Sequence, residues 1–230
     1  MRLMETSFHE DRWVGLLLSF IGGAMDSYTY IHYEAFASAQ TGNIVLAIIQ
    51  AFDGAWASVG KKLLSTLFFF LGILLAKFLI DYFQKKQLHF WRLFVLYFET
   101  VIFFLVSLSF INHQTSLVTI IIAFTAAIQW VTFDKINGLA YTNLFTTGNL
   151  KGVATNLYDY LMTGKKAAQQ KFIHFLLVVT FFITGVICSV FLYRLVGAKA
   201  ILLVSGIFLY LSISQTYLIW RFYRHERYLK

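Results

Sequence analysis

The chain has 230 residues, of which 59% are hydrophobic and only 13% are charged. A soluble domain carries about 25% charged residues, so this composition excludes an ordinary water-soluble fold. The net charge is +8, but the Lys and Arg residues flank apolar stretches, and no basic and aromatic surface motif lies outside them. This distribution excludes nucleic acid as a partner and predicts a protein whose main solvent is membrane lipid.

Six apolar stretches are long enough to cross a hydrocarbon core of about 30 Å, which takes about 20 helical residues. The absence of Pro and the abundance of Phe favour helices over a barrel, whose strands would form short alternating segments. We therefore predict an all-α integral membrane protein. The predicted spans cover residues 13–33, 63–83, 90–111, 117–137, 172–193 and 200–222.

The first predicted span holds an acidic side chain, Asp26, a little beyond its middle. A carboxylate at that depth is costly unless it is protonated or paired. Asp26 is therefore a candidate proton carrier. The alternative is a structural hydrogen bond between helices, for example to Asn43 or Gln129.

A shorter apolar segment, residues 41–52, follows the first span and begins with Thr41-Gly42-Asn43. A helix of this size is about 16 Å long, which is half of a bilayer. Thr41 is expected to cap its N-terminus with the side-chain hydroxyl. The small and polar residues 37–40 before it suit non-helical backbone buried in protein. The segment is predicted to be a broken or re-entrant helix.

Two later spans also carry polar side chains. Glu99 lies near the middle of the third span and is a second candidate proton carrier, unless it pairs across helices with Lys77 or Lys135. At the end of the fourth span, the density of polar groups predicts a vestibule that water can reach. This cluster consists of Gln129, Asp134, Lys135 and Asn137.

The tripeptide recurs as Thr147-Gly148-Asn149, 106 residues after its first copy. In both copies an Asp follows ten residues after the Asn, at Asp53 and Asp159, and a lysine pair comes next. The matched setting indicates an internal duplication. We predict a first repeat over residues 1–112 and a second over 113–230, with the second short helix at residues 147–162.

Two topologies follow from the duplication. If the tripeptide segments are re-entrant, each repeat has three spans, and because three is odd the repeats are inverted. If the segments cross fully, the chain has eight spans and parallel repeats. The length and polarity of the segments favour the inverted arrangement, and both arrangements place the N- and C-termini in the cytoplasm. In the inverted arrangement, the outer flanks of the spans hold Lys61, Lys62, Arg194 and Lys199. The cytoplasmic flanks hold Arg2, Arg12, Lys85, Lys86, Arg92, Lys165, Lys166, Lys171, Arg221, Arg224, Arg227 and Lys230.

Several short motifs together resemble a known family. They are Gly23-Ala24-Met25-Asp26-Ser27-Tyr28, Phe36, Thr41-Gly42-Asn43, Gln129-Trp130 and Thr146-Thr147-Gly148. The pattern resembles the YoaK-type family of bacterial integral membrane proteins, which is a domain of unknown function, although Ser27 stands where Ala is usual and Trp130 where Asn is common. The resemblance implies a multi-pass protein of the bacterial cell membrane and supplies no substrate.

A helix that starts inside a membrane exposes free N–H groups and a positive dipole end. Two such starts related by inverted repeats are the common plan of secondary transporters. The sequence therefore favours a small secondary transporter or channel for a small polar, anionic solute. The predicted binding residues are Thr41, Gly42, Asn43, Thr147, Gly148, Asn149 and Gln129, and the predicted coupling residues are Asp26 and Glu99.

Two other classes stay open. In the first, the chain is a non-transporting assembly or regulatory protein, and the motifs only pack the repeats together. The second, an intramembrane enzyme, depends on Asp26 and Glu99 alone, and no catalytic motif supports it. We expect no cofactor and no metal, since Cys188 is the single cysteine. The expected partners are membrane lipids, the solute and, as an open alternative, further copies of the chain.

Overall fold

The structure is a computed structural model that describes residues 8–88 and 90–228. Arg2 and Lys230, which were predicted to lie on the cytoplasmic flanks, are outside these residues. In the described part, the helices are α1 (Arg12–Tyr33), α2 (Gln40–Phe52), α3 (Trp56–Lys85), α4 (Trp91–Val106), α5 (Ser109–Asn112), α6 (Thr115–Thr132), α7 (Thr147–Thr163), α8 (Lys166–Val196) and α9 (Leu202–Tyr228).

Short elements complete the described chain. A 3-10 turn at Phe8–Glu10 precedes α1, and another at Gly197–Ile201 joins α8 to α9. The strands β1 (Lys135–Ile136) and β2 (Leu139–Ala140) pair antiparallel between α6 and α7. The fold is thus all-α apart from one small hairpin.

Three helical stretches of the described residues are long and apolar enough to cross a membrane. They are Trp56–Lys85, Thr115–Thr132 and Lys166–Phe222, the last of which contains α8 and most of α9. Helices α1 and α4 fall on the other predicted spans but are not among these three stretches. The apolar helices agree with a helical membrane protein.

Helices α1 and α8 run parallel and cross closely. The Ser189 hydroxyl donates to the Ala24 carbonyl at 3.0 Å, and the rings of Tyr28 and Tyr193 meet further along both helices. Glycine makes the approach possible, because a Cβ added to Gly23 would lie 2.1 Å from the Phe182 carbonyl oxygen, and one added to Gly185 would lie 2.0 Å from that of Phe20. Small residues at such a crossing let two backbones touch.

Helices α3 and α6 form a second close pair. A Cβ on Gly72 would lie 2.5 Å from the Phe124 carbonyl oxygen and 2.8 Å from the Ala127 side chain. Helix α4 packs on α9, where the rings of Phe103 and Phe208 stack. The short helices α2 and α7 pack on α3 and α8.

The contacts at the two ends of the bundle give the helix directions. At one end, His32 near the end of α1 meets Asn112 of α5, directly after α4. At the other end, Glu10 just before α1 binds the turn that follows α6, through Asn137 and Gly138. We name these the His32 end and the Glu10 end. Helices α1 and α4 therefore point the same way, and α6 points the opposite way.

Helix α3 starts at the His32 end, because the Lys61 ammonium group donates to the Tyr33 carbonyl at 3.0 Å. Since α1 finishes at that same end, the loop after α1 leads away from it and α2 leads back to it. Helix α2 has 13 residues and is about 20 Å long at 1.5 Å per residue. It does not carry the chain from one end of the bundle to the other.

Two local predictions are wrong. Helix α2 begins at Gln40 after Ala39, without any side-chain cap, and the Thr41 side chain is exposed, so Thr41 does not cap the helix. Helix α6 ends at Thr132 rather than near residue 137. The reason is the hairpin, whose turn residues Asn137 and Gly138 have φ angles of 48° and 80°, the left-handed conformations that a tight Asn-Gly turn requires.

Candidate functional site

The loop between α1 and α2 folds back into the bundle. The backbone N–H and the hydroxyl of Ser38 both donate to the Asp26 carboxyl group, each at 2.7 Å. The Ala37 N–H donates to the Thr29 hydroxyl at 3.0 Å. Asp26 is seven residues before the end of α1 at Tyr33, so the loop returns about 10 Å down the helix.

The loop before α7 reaches the same region from the Glu10 end. Asn143 is buried, and its side-chain amide donates to the Phe133 carbonyl at 2.7 Å. The Asn143 backbone lies against α1, where a Cβ on Gly22 would come within 2.0 Å of its carbonyl oxygen. Gly22 therefore makes room for the second loop.

The two loops touch beside Asp26. The Ser38 hydroxyl donates to the Leu144 carbonyl at 3.0 Å, across a separation of 106 residues. That separation equals the spacing of the two tripeptides, since Ser38 precedes Thr41 by three residues and Leu144 precedes Thr147 by three. Asp26, Ser38 and Leu144 are 7%, 2% and 0% exposed, so this contact is closed to solvent. We call these three residues the central contact.

Each tripeptide Asn closes the loop in front of it. The Asn43 side chain accepts from the Phe36 N–H and donates to the Phe36 carbonyl, both at 2.8 Å. The Asn149 side chain accepts from the Thr142 N–H at 3.2 Å and donates to the Thr142 carbonyl at 2.7 Å. In both copies the partner lies seven residues earlier. We call this reciprocal pair the Asn clamp.

Further bonds complete the two clamps. The Asn43 amide also donates to Gln40 at 2.9 Å and to Ser65 of α3 at 3.3 Å, while the Asn149 amide donates to the Phe145 carbonyl at 3.4 Å. Both amides are thus engaged by the protein itself. The tripeptide Asn residues hold the loops in shape, and their donors are not turned toward an open site.

The other tripeptide residues are more open. Thr41, Thr147 and Gly148 are exposed and Gly42 is half-buried. A Cβ on Gly148 would meet nothing within 4 Å, and one on Gly42 would touch only the Phe36 ring at 3.3 Å. Neither glycine marks a close backbone approach between the two halves of the chain. Gly22 does so instead, and it stands outside the tripeptide.

Gln129 is fully buried on α6 but is not in the central contact. Its side-chain amide donates to the Leu18 carbonyl of α1 at 3.3 Å, and its oxygen has no hydrogen-bond partner. The rest of the predicted vestibule cluster is separate, because Asp134, Lys135 and Asn137 are exposed at the hairpin. Gln129 therefore joins α6 to α1 at Leu18, which is nearer the Glu10 end than Asp26.

Glu99 is fully buried on α4, and neither of its carboxyl oxygens has a hydrogen-bond partner. The alternative that it pairs with a lysine is wrong. Lys77 binds Asp81 instead, at 2.9 Å on an exposed surface, and Lys135 is exposed on the hairpin. The structure does not bring Glu99 together with Asp26.

A second polar network ties the His32 end together. Both ring nitrogens of His32 are bonded, one to the Tyr193 hydroxyl and one to the Asn112 side chain. The Asn112 amide donates to the Tyr28 hydroxyl, which donates to the Ala198 carbonyl. These bonds link the ends of α1, α4 and α8, so His32 is a structural residue.

Near the Glu10 end, His9 lies outside the apolar helices. Burial, together with the positive charges of Arg92 and Lys135, lowers the pKa of His9 to about 3. His9 is therefore neutral at physiological pH. Among residues 8–88 and 90–228, no group of three or more His, Cys, Asp or Glu could hold a metal ion.

Ser38, Leu144 and Asn143 were not predicted as site residues from the sequence. Ser38 carried a weak signal, because it sits in a short run of small residues just before a tripeptide. Leu144 contributes its backbone carbonyl to the contact between the two loops, and Asn143 packs its backbone against Gly22 of α1. No pattern in the sequence specifies such a contact, apart from the spacing of 106 residues that relates Ser38 to Leu144.

The apolar helices are those of a multi-helix membrane protein. The chain belongs to the family described as Protein of unknown function (DUF1275), whose family model matches residues 14–214. The YoaK-type resemblance is consistent with this family. The chain matches no curated protein and no solved structure at a significant level.

Proposed function

We propose that the protein is a small secondary transporter or channel of the bacterial cell membrane for a small polar, anionic solute. The observation that carries the proposal is the central contact, where two loops that lead into short helices meet beside a buried carboxyl group. Irregular backbone at membrane depth is tolerated where it is buried in protein or lines a cavity. Secondary transporters place their solute at such breaks.

The proposal includes two inverted repeats of three spans and one short helix. The helix packing supports this. If each helix of α1–α4 is exchanged with its counterpart in α6–α9, taken in chain order, the same pairs of packed helices result. The pair α1 and α8 becomes α6 and α3, the pair α2 and α3 becomes α7 and α8, and α4 stays with α9. A pseudo-two-fold axis would bring equivalent residues together where it passes, as Ser38 and Leu144 are.

The helix directions favour inverted over parallel repeats. Parallel repeats need an α2 that crosses the membrane, and α1 and α4 would then point opposite ways. The bond between His32 and Asn112 brings the ends of α1 and α4 together, and α3 starts beside Tyr33 at the same end. We infer six spans, with both termini in the cytoplasm.

The contacts change the proposed roles of the tripeptide residues. Asn43 and Asn149 would act by holding the loops, because their amides are engaged. Thr41, Gly42, Thr147 and Gly148 would lie along the solute's approach. Binding itself would follow an opening of the loops, because the Ser38 hydroxyl and N–H are bonded to Asp26 in this structure. Once released, Ser38 and the backbone N–H groups of the two loops would suit a carboxylate or another small anion.

A second candidate is a membrane assembly or regulatory protein without transport. One observation favours it, namely that the Asn clamps and the central contact are satisfied by the protein itself. In this case the duplicated tripeptide serves only to pack the two halves of the chain.

Uptake into proteoliposomes separates the two candidates. Purified protein is reconstituted, and flux is measured for a panel of small carboxylates and inorganic anions. We expect flux of at least one solute, with a loss in Asp26→Asn and in Ser38→Ala. Asp53→Asn is the matched control, because Asp53 is exposed at the end of α2 and should leave flux unchanged.

Two results would count against the proposal in different ways. Flux that persists in both Asp26→Asn and Ser38→Ala would reject the site. Absence of flux for every solute, with folded protein in the vesicles, would support the assembly protein instead.

A further inference from the structure

The hydrogen count at the central contact does not balance if Asp26 is ionised. The Ser38 hydroxyl carries one hydrogen, yet its oxygen lies 2.7 Å from an Asp26 oxygen and 3.0 Å from the Leu144 carbonyl oxygen. An ionised carboxylate and a carbonyl are both acceptors only. One hydrogen therefore serves two acceptors, and one of the two is left poorly bonded.

A proton on Asp26 removes the conflict. The carboxyl O–H then donates to the Ser38 oxygen, and the Ser38 hydroxyl is free to donate to Leu144. The second Asp26 oxygen still accepts from the Ser38 N–H at 2.7 Å. Every group then has a partner, and the closed loops fit the protonated acid.

The surroundings of Asp26 point the same way. It is 7% exposed and has no ion-pair partner among the described residues. An ionised carboxylate in such a place would be costly. None of the titratable and charged residues described on the elements packed around α1 forms a hydrogen bond or an ion pair with the Asp26 carboxyl group, which is bonded to Ser38. These residues are His9, Glu10, Glu34, Lys135, Lys166, Lys171, His174, Cys188, Tyr193, Arg194, Lys199, Tyr210, Tyr217, Arg221 and Arg224.

We propose that Asp26 and Ser38 form a proton-operated latch between the two halves of the protein, closed when Asp26 is protonated and open when it is ionised. Loss of the proton draws the Ser38 hydrogen to Asp26, so that the Leu144 carbonyl loses its donor and the loops separate. Water then reaches the ionised carboxylate. The latch deepens the proposed transport function, for which it names the proton as the coupling ion.

The reverse step closes the latch. A proton from water binds Asp26, the carboxyl O–H donates to Ser38, and Ser38 again donates to Leu144. No covalent bond other than O–H changes, and the proton comes from and returns to solvent. An anion bound between the loops would leave with this closure or be enclosed by it.

The test measures how often the loops open as the pH changes. In a Cys188→Ala background, Leu144→Cys places a thiol where the side chain is 0% exposed, while the backbone carbonyl of the latch is kept. Thr147→Cys, at an exposed position of the same segment, reports the pH dependence of thiol reactivity itself. The readout is the ratio of the maleimide labelling rates at positions 144 and 147, in lipid and without solute.

The latch predicts a ratio that rises with pH when Asp26 is present. In Asp26→Asn the amide can donate to Ser38 as the protonated acid does, so the ratio should stay low at every pH. In Ser38→Ala the ratio should stay high at every pH. Ser38→Thr keeps a hydroxyl and should restore the rise, which separates loss of the latch from misfolding.

A ratio that does not change with pH in the Asp26 protein, or that rises equally in Asp26→Asn, would overturn the latch. Because no solute is present, this result is independent of the flux measurement. Flux with a flat ratio would reject the latch and leave transport standing. A rising ratio without flux of any solute would retain the latch as a property of the fold and reject transport.

Discussion

The Ser38 hydroxyl donates to the Leu144 carbonyl at 3.0 Å, and these two residues hold the same place in the two copies of one sequence motif. A contact between equivalent positions is expected where a pseudo-two-fold axis passes through a duplicated protein. Asp26 comes from α1 and is bonded to Ser38, whereas no carboxyl group of the described residues is bonded to Leu144. The centre is therefore asymmetric in its chemistry.

Loss of an Asn clamp should destabilise the protein. Asn43→Ala leaves the Phe36 N–H without a partner, while the Phe36 carbonyl keeps its bond from the Ser65 hydroxyl. Asn149→Ala removes the side-chain partner of both the N–H and the carbonyl of Thr142. We expect a loss of about 1–3 kcal/mol for each, the cost of unsatisfied buried polar groups. Thermal unfolding in detergent measures it. Thr41→Ala is the control, since Thr41 is exposed, and an equal loss there would contradict the assignment.

Alanine at the helix crossing should be poorly tolerated. In Gly23→Ala or Gly185→Ala the new methyl group would lie about 2 Å from a backbone carbonyl, so α1 and α8 must separate, at a cost of about 1–3 kcal/mol or more. Gly206→Ala on α9 is the matched control, because a Cβ there meets nothing within 4 Å. That change should be neutral or stabilising. The changes in melting temperature of the three variants are compared. Equal changes in all three would contradict the close crossing of α1 and α8.

Removal of the buried carboxyl group on α4 should stabilise the protein. Glu99 is fully buried and both oxygens lack partners, so Glu99→Leu exchanges an unsatisfied polar group for an apolar one. The expected gain is about 1–3 kcal/mol. Glu99→Gln keeps a polar group and should gain less. A loss of stability in Glu99→Leu, measured by thermal unfolding, would mean that the carboxyl group has a partner that holds it in place.

His9 should make stability depend on pH near the Glu10 end. Its pKa is about 3 in the folded protein against 6.5 for the free side chain, so the unfolded chain binds a proton that the folded chain does not. Stability from this group is present above pH 6.5 and is lost as the pH falls from there toward 3. His9→Asn should reduce that acid-side loss, as followed by the melting temperature over this pH range. If His9→Asn leaves the dependence of the melting temperature on pH unchanged, the His9 side chain is exposed to solvent in the folded protein.

Features that depend on local residue pattern were predictable from the sequence. The apolar stretches located the main helices, and the duplicated tripeptide located α2 and α7. The end of α6 was missed although Asn137-Gly138 is a strong hairpin signal, because the apolar run before it continued the helical pattern. The prediction that Thr41 caps α2 was wrong because the helix begins one residue earlier, at Gln40.

The centre of the protein could be predicted only in part. Asp26 stood out because a carboxyl group in an apolar run is costly wherever it lies. Its partner, Ser38, depends on a loop that folds back along α1, and the contact with Leu144 depends on a loop from the other half of the chain. Such distances are set by the packing of α1 against α8 and of α3 against α6, which residue spacing does not encode.

The exchange of helix partners between the halves has a consequence for biosynthesis. The bond between Ala24 and Ser189 joins residues 165 positions apart, so α1 enters the membrane long before its partner is made. Long-range contacts of this kind are slow to form, and their surfaces stay uncovered meanwhile. The first half of the chain therefore stays incompletely packed in the bilayer until the second half is inserted, because α1 and α3 each pack on a helix of the other half.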